Sequence, residues 1–178
     1  KLTLSSTVNL SNVTGKGRYG TGYDDKNLMT NFRQWWATTT DIQEQKDAYF
    51  RNKQNVTWNW ADPTDLTPIY WDNPYFTRYE NYENDNRLRT FGNFALNYKL
   101  ASWIDILGRV SFDAYNEQQE ERQAVGSVTT SSYSRFNRSF REFNYDLMAN
   151  INKNLSDKLT LKGVVGTNIR RTTIESIF

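Results

Sequence analysis

The sequence predicts an all-β protein, namely an antiparallel segment of about five long strands from a large transmembrane β-barrel. Apolar and polar residues alternate with a period of two over residues 1–12, 87–100, 104–115, 143–151 and 159–169. These runs span about 10 to 14 residues, whereas strands of globular proteins usually span about 5 to 6. A tilted strand that crosses a bilayer needs about 9 to 11 residues, so the lengths favour a membrane-spanning sheet.

Each predicted strand has one apolar face and one mostly polar face. In chain order the apolar faces consist of Leu2, Leu4, Val8 and Leu10; Leu88, Phe94, Leu96, Tyr98 and Leu100; Ile104, Ile106, Val110, Phe112 and Ala114; Phe143, Tyr145, Leu147, Ala149 and Ile151; and Leu159, Leu161, Gly163, Val165 and Ile169. In a membrane barrel the apolar face meets lipid and the polar face meets the lumen.

The predicted connections differ greatly in length. Residues 101–103 and 153–158 form short turns, whereas residues 13–86 and 117–139 form long connections, which we expect to be extracellular loops. Short turns at one rim and long loops at the other are typical of outer-membrane barrels, whereas most connections in a globular sandwich are short. Five strands cannot close a barrel, and an open edge is unstable in lipid. We therefore expect the remaining strands to lie outside this chain.

The long connection from residue 13 to residue 86 contains two predicted short helices. Asp25 is the predicted N-cap of the first, in which apolar residues from Leu28 to Trp36 follow helical spacing. Thr40 and Asp41 are predicted to begin the second helix, which runs through Tyr49 and Phe50.

Composition excludes several classes of protein. Aromatic residues make up 15% of the chain, which argues against disorder, and a net charge of +2 is too small for an electrostatic nucleic-acid binder. The chain has no Cys and no His, so we expect no enzyme, metal or cofactor chemistry of the kinds that need them. Two weaker patterns are predicted to be loops rather than sites: the glycines of GKGRYG (Gly15, Gly17, Gly20) and the acidic cluster Glu117, Glu120 and Glu121.

Aromatic residues are the strongest candidates for contact with a ligand. Five of the six Trp residues lie between Trp35 and Trp71. Indole and phenol rings stack on sugar rings and peptide side chains, but they also form the core of a folded loop. Both readings stay open for the candidate contact residues Trp35, Trp36, Trp58, Trp60, Tyr70 and Trp71. Tyr98 and Trp103 lie beside a short turn, and we predict that they belong to an interfacial aromatic girdle.

Three stretches from residue 72 onward are distinctive: DNPYFTRYENYENDNRLRTFGNFALNYKLASWIDILGRVSFDAY, EERQAVGS, and YSRFNRSFREFNYDLMANINKNLSDKLTLKGVVGTNIRR. They resemble the barrel of SusC/RagA-type TonB-dependent transporters. NPYF-x-RYEN-x-x-NDNR and SFREFNYDLM are the most specific pieces of this resemblance, and the upstream MTNFRQWW is also similar. The resemblance implies an internal portion of a barrel of about 22 strands, without the plug domain.

The resemblance also implies a function. Such a protein resides in the outer membrane of a Bacteroidota-type bacterium, imports oligosaccharides or peptides, is covered by a SusD-like surface lipoprotein, and is energised by TonB through the plug. It has no catalytic residues and no cofactor. The alternative from the residues alone is a soluble carbohydrate-binding β-sandwich that uses the Trp-rich loop as a stacking platform.

Overall fold

A computed structural model of the chain describes residues 1–18 and 23–178. The fold is predominantly β, with one five-stranded antiparallel sheet and one two-stranded sheet. The strands are β1 (Leu2–Gly15), β2 (Trp60–Asp62), β3 (Asp65–Pro68), β4 (Tyr82–Ala101), β5 (Ile104–Gln123), β6 (Ser132–Ser156) and β7 (Leu159–Ile177). The helices are α1 (Leu28–Thr30), which continues as a π-helical turn (Asn31–Trp35), α2 (Ile42–Asn52) and α3 (Pro74–Glu80). No helix in the described part of the chain is long and apolar enough to cross a membrane.

The large sheet has the strand order β1-β4-β5-β6-β7, with β1 and β7 at its edges, and β2 pairs with β3 in the small sheet. The prediction of five long antiparallel strands is therefore confirmed. The edge strand β1 approaches its neighbour β4 closely at Gly92 of β4, where an added Cβ would collide with the carbonyl oxygen of Thr7 in β1. A glycine is thus required at this point of the β1–β4 ladder.

The register of β6 and β7 brings like faces together. Tyr145 pairs with Ile169 and Ala149 with Val165, whereas the opposite face contains polar pairs such as Asp146 with Asn168. Because directly opposed residues share a face of the sheet, the apolar sets predicted for the two strands form one continuous surface. The period-two pattern therefore predicted both the strands and their relative faces.

The predicted loop over residues 117–139 is wrong at both ends. β5 continues to Gln123 and β6 begins at Ser132, so the connection is residues 124–131. The acidic cluster Glu117, Glu120 and Glu121 accordingly lies on β5 rather than in a loop. These strand ends are mostly polar on both faces and show no regular apolar alternation. Backbone pairing and polar cross-strand contacts sustain them, such as the hydrogen bond that the Tyr133 hydroxyl donates to Glu120 Oε1 at 3.0 Å.

The chain divides into two compact units. The sheet unit comprises Lys1–Val13, Arg87–Glu117 and Asn137–Ile177. The loop unit comprises Thr14–Asn86, Gln118–Phe136 and Phe178. The predicted long connection over residues 13–86 is shorter in the structure, because β1 extends to Gly15 and β4 begins at Tyr82. Of the GKGRYG glycines, Gly15 ends β1, Gly17 has a positive φ of 59°, and Gly20 lies outside the described residues.

The helices of the loop unit follow the predictions in part. Asp41 caps α2 as expected, since its carboxylate accepts a hydrogen bond from the Gln43 backbone N–H at 2.8 Å. The prediction that Asp25 caps the first helix is wrong: Asn27 is the N-cap, and the Asp25 carboxylate instead accepts a hydrogen bond from the Thr129 hydroxyl. The helical spacing from Leu28 to Trp36 is also interrupted, because the chain enters the π-helical turn after one turn of α1.

Candidate functional site

A small core holds the loop unit together, and it is more polar than apolar. Its buried apolar residues are Tyr49, Phe76 and Ala124, with Tyr75 packed against them. Its buried polar residues include Thr30, Asn31, Gln45, Thr57, Asn59, Asp72, Asn73, Thr77, Asn81 and Gln123. Asn31 Oδ1 and Gln123 Nε2 have no hydrogen-bond partner among the described residues. Burial of a polar group is costly unless it is hydrogen-bonded, so the polar contacts that the other side chains make stabilise this unit where a larger domain would use apolar packing.

Asn73 is the most buried of these side chains, with no exposed surface. Its Oδ1 accepts a hydrogen bond from the Tyr75 backbone N–H at 2.8 Å, which caps α3 at the position before Pro74. Its Nδ2 donates to the carbonyl oxygens of Gln45 and Val56, both at 2.8 Å. One amide therefore joins α3 to α2 and to the segment that follows α2.

A second group of contacts fastens the β5–β6 connection to the same core. The Asp72 carboxylate accepts hydrogen bonds from Asn55 Nδ2 and the Val128 backbone N–H, both at 2.7 Å. Asn81 Oδ1 accepts one from the Ala124 backbone N–H at 2.7 Å. Burial raises the pKa of Asp72 above its usual range, although the hydrogen bonds donated by Val128 and Asn55 act in the opposite direction.

Asn59 positions the predicted aromatic residues. Its Oδ1 accepts hydrogen bonds from the backbone N–H groups of Tyr70 at 2.8 Å and Trp71 at 3.0 Å, and its Nδ2 donates to the Trp71 carbonyl oxygen at 2.9 Å. Asn59 itself lies between Trp58 and Trp60. Four of the six candidate aromatic residues are therefore fixed around one buried amide.

Four of the candidate residues pack against other aromatic rings. Trp35 stacks on Trp71 with ring centroids 6.3 Å apart, and Trp36 meets Trp58 edge-on at 6.5 Å. Trp36 also contacts Phe32 at 4.9 Å. Consecutive residues Trp35 and Trp36 reach different partners because the π-helical turn ends between them and Trp36 is extended. This arrangement favours the packing interpretation for these four residues.

Trp60 and Tyr70 differ from the other candidates because neither ring has an aromatic partner within the described ranges. Their exposed fractions are 40% and 69%, whereas Trp35 is 46% exposed but stacks on Trp71. Trp60 begins β2, opposite Pro68 of β3, and Tyr70 follows β3. Asn59 precedes Trp60 and accepts a hydrogen bond from the backbone N–H of Tyr70, so both rings adjoin the same buried amide. They are the members of the predicted set that are accessible and not stacked on another aromatic ring.

A partly buried ion pair lies elsewhere in the loop unit. Lys26 Nζ lies 2.9 Å from Glu83 Oε1 and 3.5 Å from Glu121 Oε2. Burial lowers the pKa of Lys26, but the hydrogen bond and negative charge of Glu83 outweigh burial, so the pKa of Lys26 is raised. Within the described residues no group of three or more His, Cys, Asp or Glu side chains is arranged to hold a metal ion.

The polar face of the sheet unit carries a series of cross-strand ion pairs. Arg89 Nε donates to Asp113 at 2.8 Å between β4 and β5, and Arg109 Nε donates to Asp146 at 2.8 Å between β5 and β6. The series continues to β7, where Arg170 Nη2 lies 2.6 Å from Glu142 Oε2. Each of these three arginines is matched by a carboxylate on the neighbouring strand. Lys99, Arg138 and Lys162 on the same face have no ion pair among the described residues, so this face carries charges of both signs with cations in excess.

The opposite face exposes large apolar side chains on β1, β4, β6 and β7, whereas the apolar side chains of β5, in the middle of the sheet, are half-buried. The exposed set includes Leu4, Leu10, Phe94, Leu96, Leu100, Leu147, Leu161, Val165 and Ile169. The exposed fraction is 72% at Leu10 and 68% at Val165. Soluble monomers rarely expose a contiguous apolar patch of more than a few hundred Å². A face of this kind requires a covering apolar phase or partner.

The two predicted girdle residues lie at the turn between β4 and β5 or close to it. Tyr98 is on β4, and Trp103 precedes β5; their exposed fractions are 44% and 37%. Lys153 Nζ lies 4.7 Å from the Trp103 ring centroid. An aromatic ring beside a cation suits the boundary between lipid and water, and the girdle assignment stays a prediction.

Sequence reasoning missed the buried amides that build the loop unit, namely Asn59, Asn73 and Asn81. The dipeptide Asn73-Pro74 is a helix-start signal that could have indicated α3. Asn59 and Asn81 carry no such signal. Comparison with protein-family models finds no match to this chain, and comparison with curated protein sequences finds no significant match.

Proposed function

We propose that this chain forms part of the wall and one large external loop of an outer-membrane transporter of the SusC/RagA type. The whole protein imports oligosaccharides or peptides with a SusD-like lipoprotein as its lid, and TonB acts on a plug domain outside this chain. The observation that carries the proposal is the apolar face of the five-stranded sheet, whose side chains are exposed on β1, β4, β6 and β7 and half-buried on the central strand β5.

The dimensions of this face suit a bilayer. On β7 the apolar stretch runs from Leu159 to Ile169. Ten residue steps at about 3.3 Å give a strand length of about 33 Å, and a tilt near 45° reduces its height to roughly 23 Å. The apolar band of outer-membrane barrels is about 25 Å tall. Lipid is therefore the covering phase that fits this face.

The polar face suits a water-filled lumen. Cross-strand pairs such as Arg89–Asp113 and Arg109–Asp146 place charges of both signs side by side on this face. Arginine side chains donate hydrogen bonds and carboxylates accept them, so such a wall suits polar solutes that carry hydroxyl or amide groups. This property agrees with the import of oligosaccharides or peptides that the sequence resemblance implies.

The alternative function is a soluble carbohydrate-binding β-sandwich. A sandwich covers the apolar face of one sheet with a second sheet of comparable size. In the described part of the chain the second sheet consists only of β2 and β3, and both lie in the loop unit. The exposed face therefore favours the transporter.

Extraction and uptake test the proposal together. The protein should remain with the outer-membrane fraction after washes with high salt and urea, and it should be released by detergent. Release without detergent would refute a membrane wall. In cells, uptake of an oligosaccharide mixture and of a peptide mixture should both be compared with those of a deletion strain. Loss of neither would refute transport, and loss of one would identify the cargo class.

A further inference from the structure

The apolar face of the sheet unit ends in a charged belt. On β7 the residues that follow Ile169 on this face are Arg171, Thr173 and Glu175. Their partners on β6 are Phe143, Arg141 and Ser139. The character of the face thus changes within two residues from aliphatic to basic and hydroxyl-bearing, at the end of the strands where β6 begins and β7 ends.

Within this chain the two arginines of this belt are only partly neutralised. Arg141 Nη2 lies 3.6 Å from Glu175 Oε2, with both side chains more than half exposed. Arg171 makes no ion pair or hydrogen bond with any residue in the ranges that the structure describes. Diagonal neighbours on a β-sheet lie about 7 to 8 Å apart, so both guanidinium groups can reach one anion. The belt carries two positive charges and one negative charge.

A groove of about 370 Å³ lies across the same end of this face. Its lining includes Leu88, Thr90, Ala114, Asn116, Ser139 and Arg141. Apolar and hydroxyl- or amide-bearing side chains are therefore combined in one groove, with Arg141 at its border. Such a lining accommodates a molecule that has both an apolar part and a polar, negatively charged part.

We propose that this belt binds the anionic, phosphate-bearing headgroup of a membrane lipid. Arg171 and Arg141 contact the phosphate oxygens, for which the guanidinium fork is well matched, while the acyl chains cover Tyr145, Ile169 and the apolar face beyond. A lipid fits better than free phosphate because the cations adjoin the apolar band. The proposal rests on the proposed function, since it requires lipid against this face.

Arg170 provides a matched control for Arg171. The two arginines are adjacent in β7 but lie on opposite faces, and Arg170 is already paired with Glu142 at 2.6 Å. Replacing either residue with Gln removes one positive charge from the same strand. Only the change at Arg171 alters the lipid-facing belt.

The test uses the protein as its host produces it, purified in detergent and offered phosphatidylglycerol or a phosphate-free galactosyl diacylglycerol. Retained lipid is counted by native mass spectrometry. We expect preferential retention of phosphatidylglycerol, a loss of about fivefold in this preference for R171Q, a further loss for R141Q/R171Q, and no loss for R170Q. R171K should restore most of the preference, which separates charge from folding.

Three results would overturn the inference. One is equal retention of the two lipids, another is an equal loss for R170Q and R171Q, and the third is displacement of the lipid by excess inorganic phosphate, which would indicate a site for free phosphate. If the proposed function itself were wrong, the result would be different: the protein would be soluble without detergent and would retain neither lipid.

Discussion

Replacing Asn73 with Ala should destabilise the loop unit far more than loss of an ordinary helix cap. The substitution removes the acceptor for the Tyr75 N–H and the donor to the carbonyl oxygens of Gln45 and Val56. Loss of the cap costs about 1 kcal/mol, and each buried carbonyl left without a donor costs about 1 to 1.5 kcal/mol. The expected loss in the free energy of unfolding is therefore about 3 to 4 kcal/mol.

Asp41→Ala is the matched control, because it removes an N-cap that is exposed to water. Its carboxylate accepts one hydrogen bond, from the Gln43 N–H, so the expected loss is about 1 kcal/mol. Asn73→Asp gives a further check. It keeps an acceptor for the Tyr75 N–H, but it places a second oxygen against the two carbonyl groups and should be at least as destabilising as Asn73→Ala.

Backbone hydrogen exchange, followed by mass spectrometry in peptides that cover α2 and α3, measures these differences. Each 1.4 kcal/mol corresponds to a tenfold change, so exchange should accelerate roughly 100- to 1,000-fold in Asn73→Ala and about fivefold in Asp41→Ala. Equal acceleration in the two variants would refute the role assigned to the buried amide. So would an Asn73→Asp variant that exchanges like the unmodified protein.

Three further predictions concern other parts of the molecule. Gly92→Ala should disrupt pairing of β1 with β4 and lower the yield of folded protein in the membrane. Gly108→Ala should be tolerated, because its added Cβ meets no atom within 4 Å. Equal yields of the two variants would contradict the close approach of β1 to Gly92. The pKa of Asp72 is raised in the folded state, so its contribution to stability is greatest below about pH 3.8 and is lost as pH rises through the folded-state pKa. Protection of the loop unit against backbone hydrogen exchange should therefore fall over that pH interval. The fall should be absent in Asp72→Asn. Trp60→Ala should reduce uptake more than it reduces the amount of folded protein. Trp36→Ala should reduce uptake and the amount of folded protein to the same extent, because the Trp36 ring packs against Phe32 and Trp58. Equal losses of uptake and of folded protein in Trp60→Ala would argue against contact of Trp60 with a ligand.

The strands of the large sheet could be predicted because the alternation of apolar and polar residues that specifies them is a local pattern in the sequence. The alternation of Leu159, Leu161 and Val165 with polar residues requires only a strand with unlike faces. The register of β6 and β7 then follows from matching apolar faces across a short turn. The same logic failed for residues 117–123 and 132–139, which are mostly polar on both faces, so that no regular alternation marks the strand.

The loop unit was predictable only where a short-range signal exists. Asp41 caps α2 through a residue two positions away, and the prediction is confirmed. Asn81, by contrast, is satisfied by Ala124 and Ser127, more than forty positions away in the chain. Such partners are chosen by the tertiary fold, and no local pattern indicates them. The division of the aromatic residues into packed and exposed sets depends on Asn59 in the same way.

The position of the apolar face against lipid is the central claim, and two adjacent valines of β7 test it most directly. Val164 lies opposite Asn150 on the polar face and Val165 lies opposite Ala149 on the apolar face, and their exposed fractions are nearly equal at 65% and 68%. The chain contains no cysteine, so Val164→Cys and Val165→Cys each introduce one thiol for a fluorophore. In reconstituted protein we expect brominated lipid to quench the label on the Val165→Cys variant and aqueous iodide to quench the label on the Val164→Cys variant. Quenching of both labels by iodide alone would contradict a membrane-facing sheet.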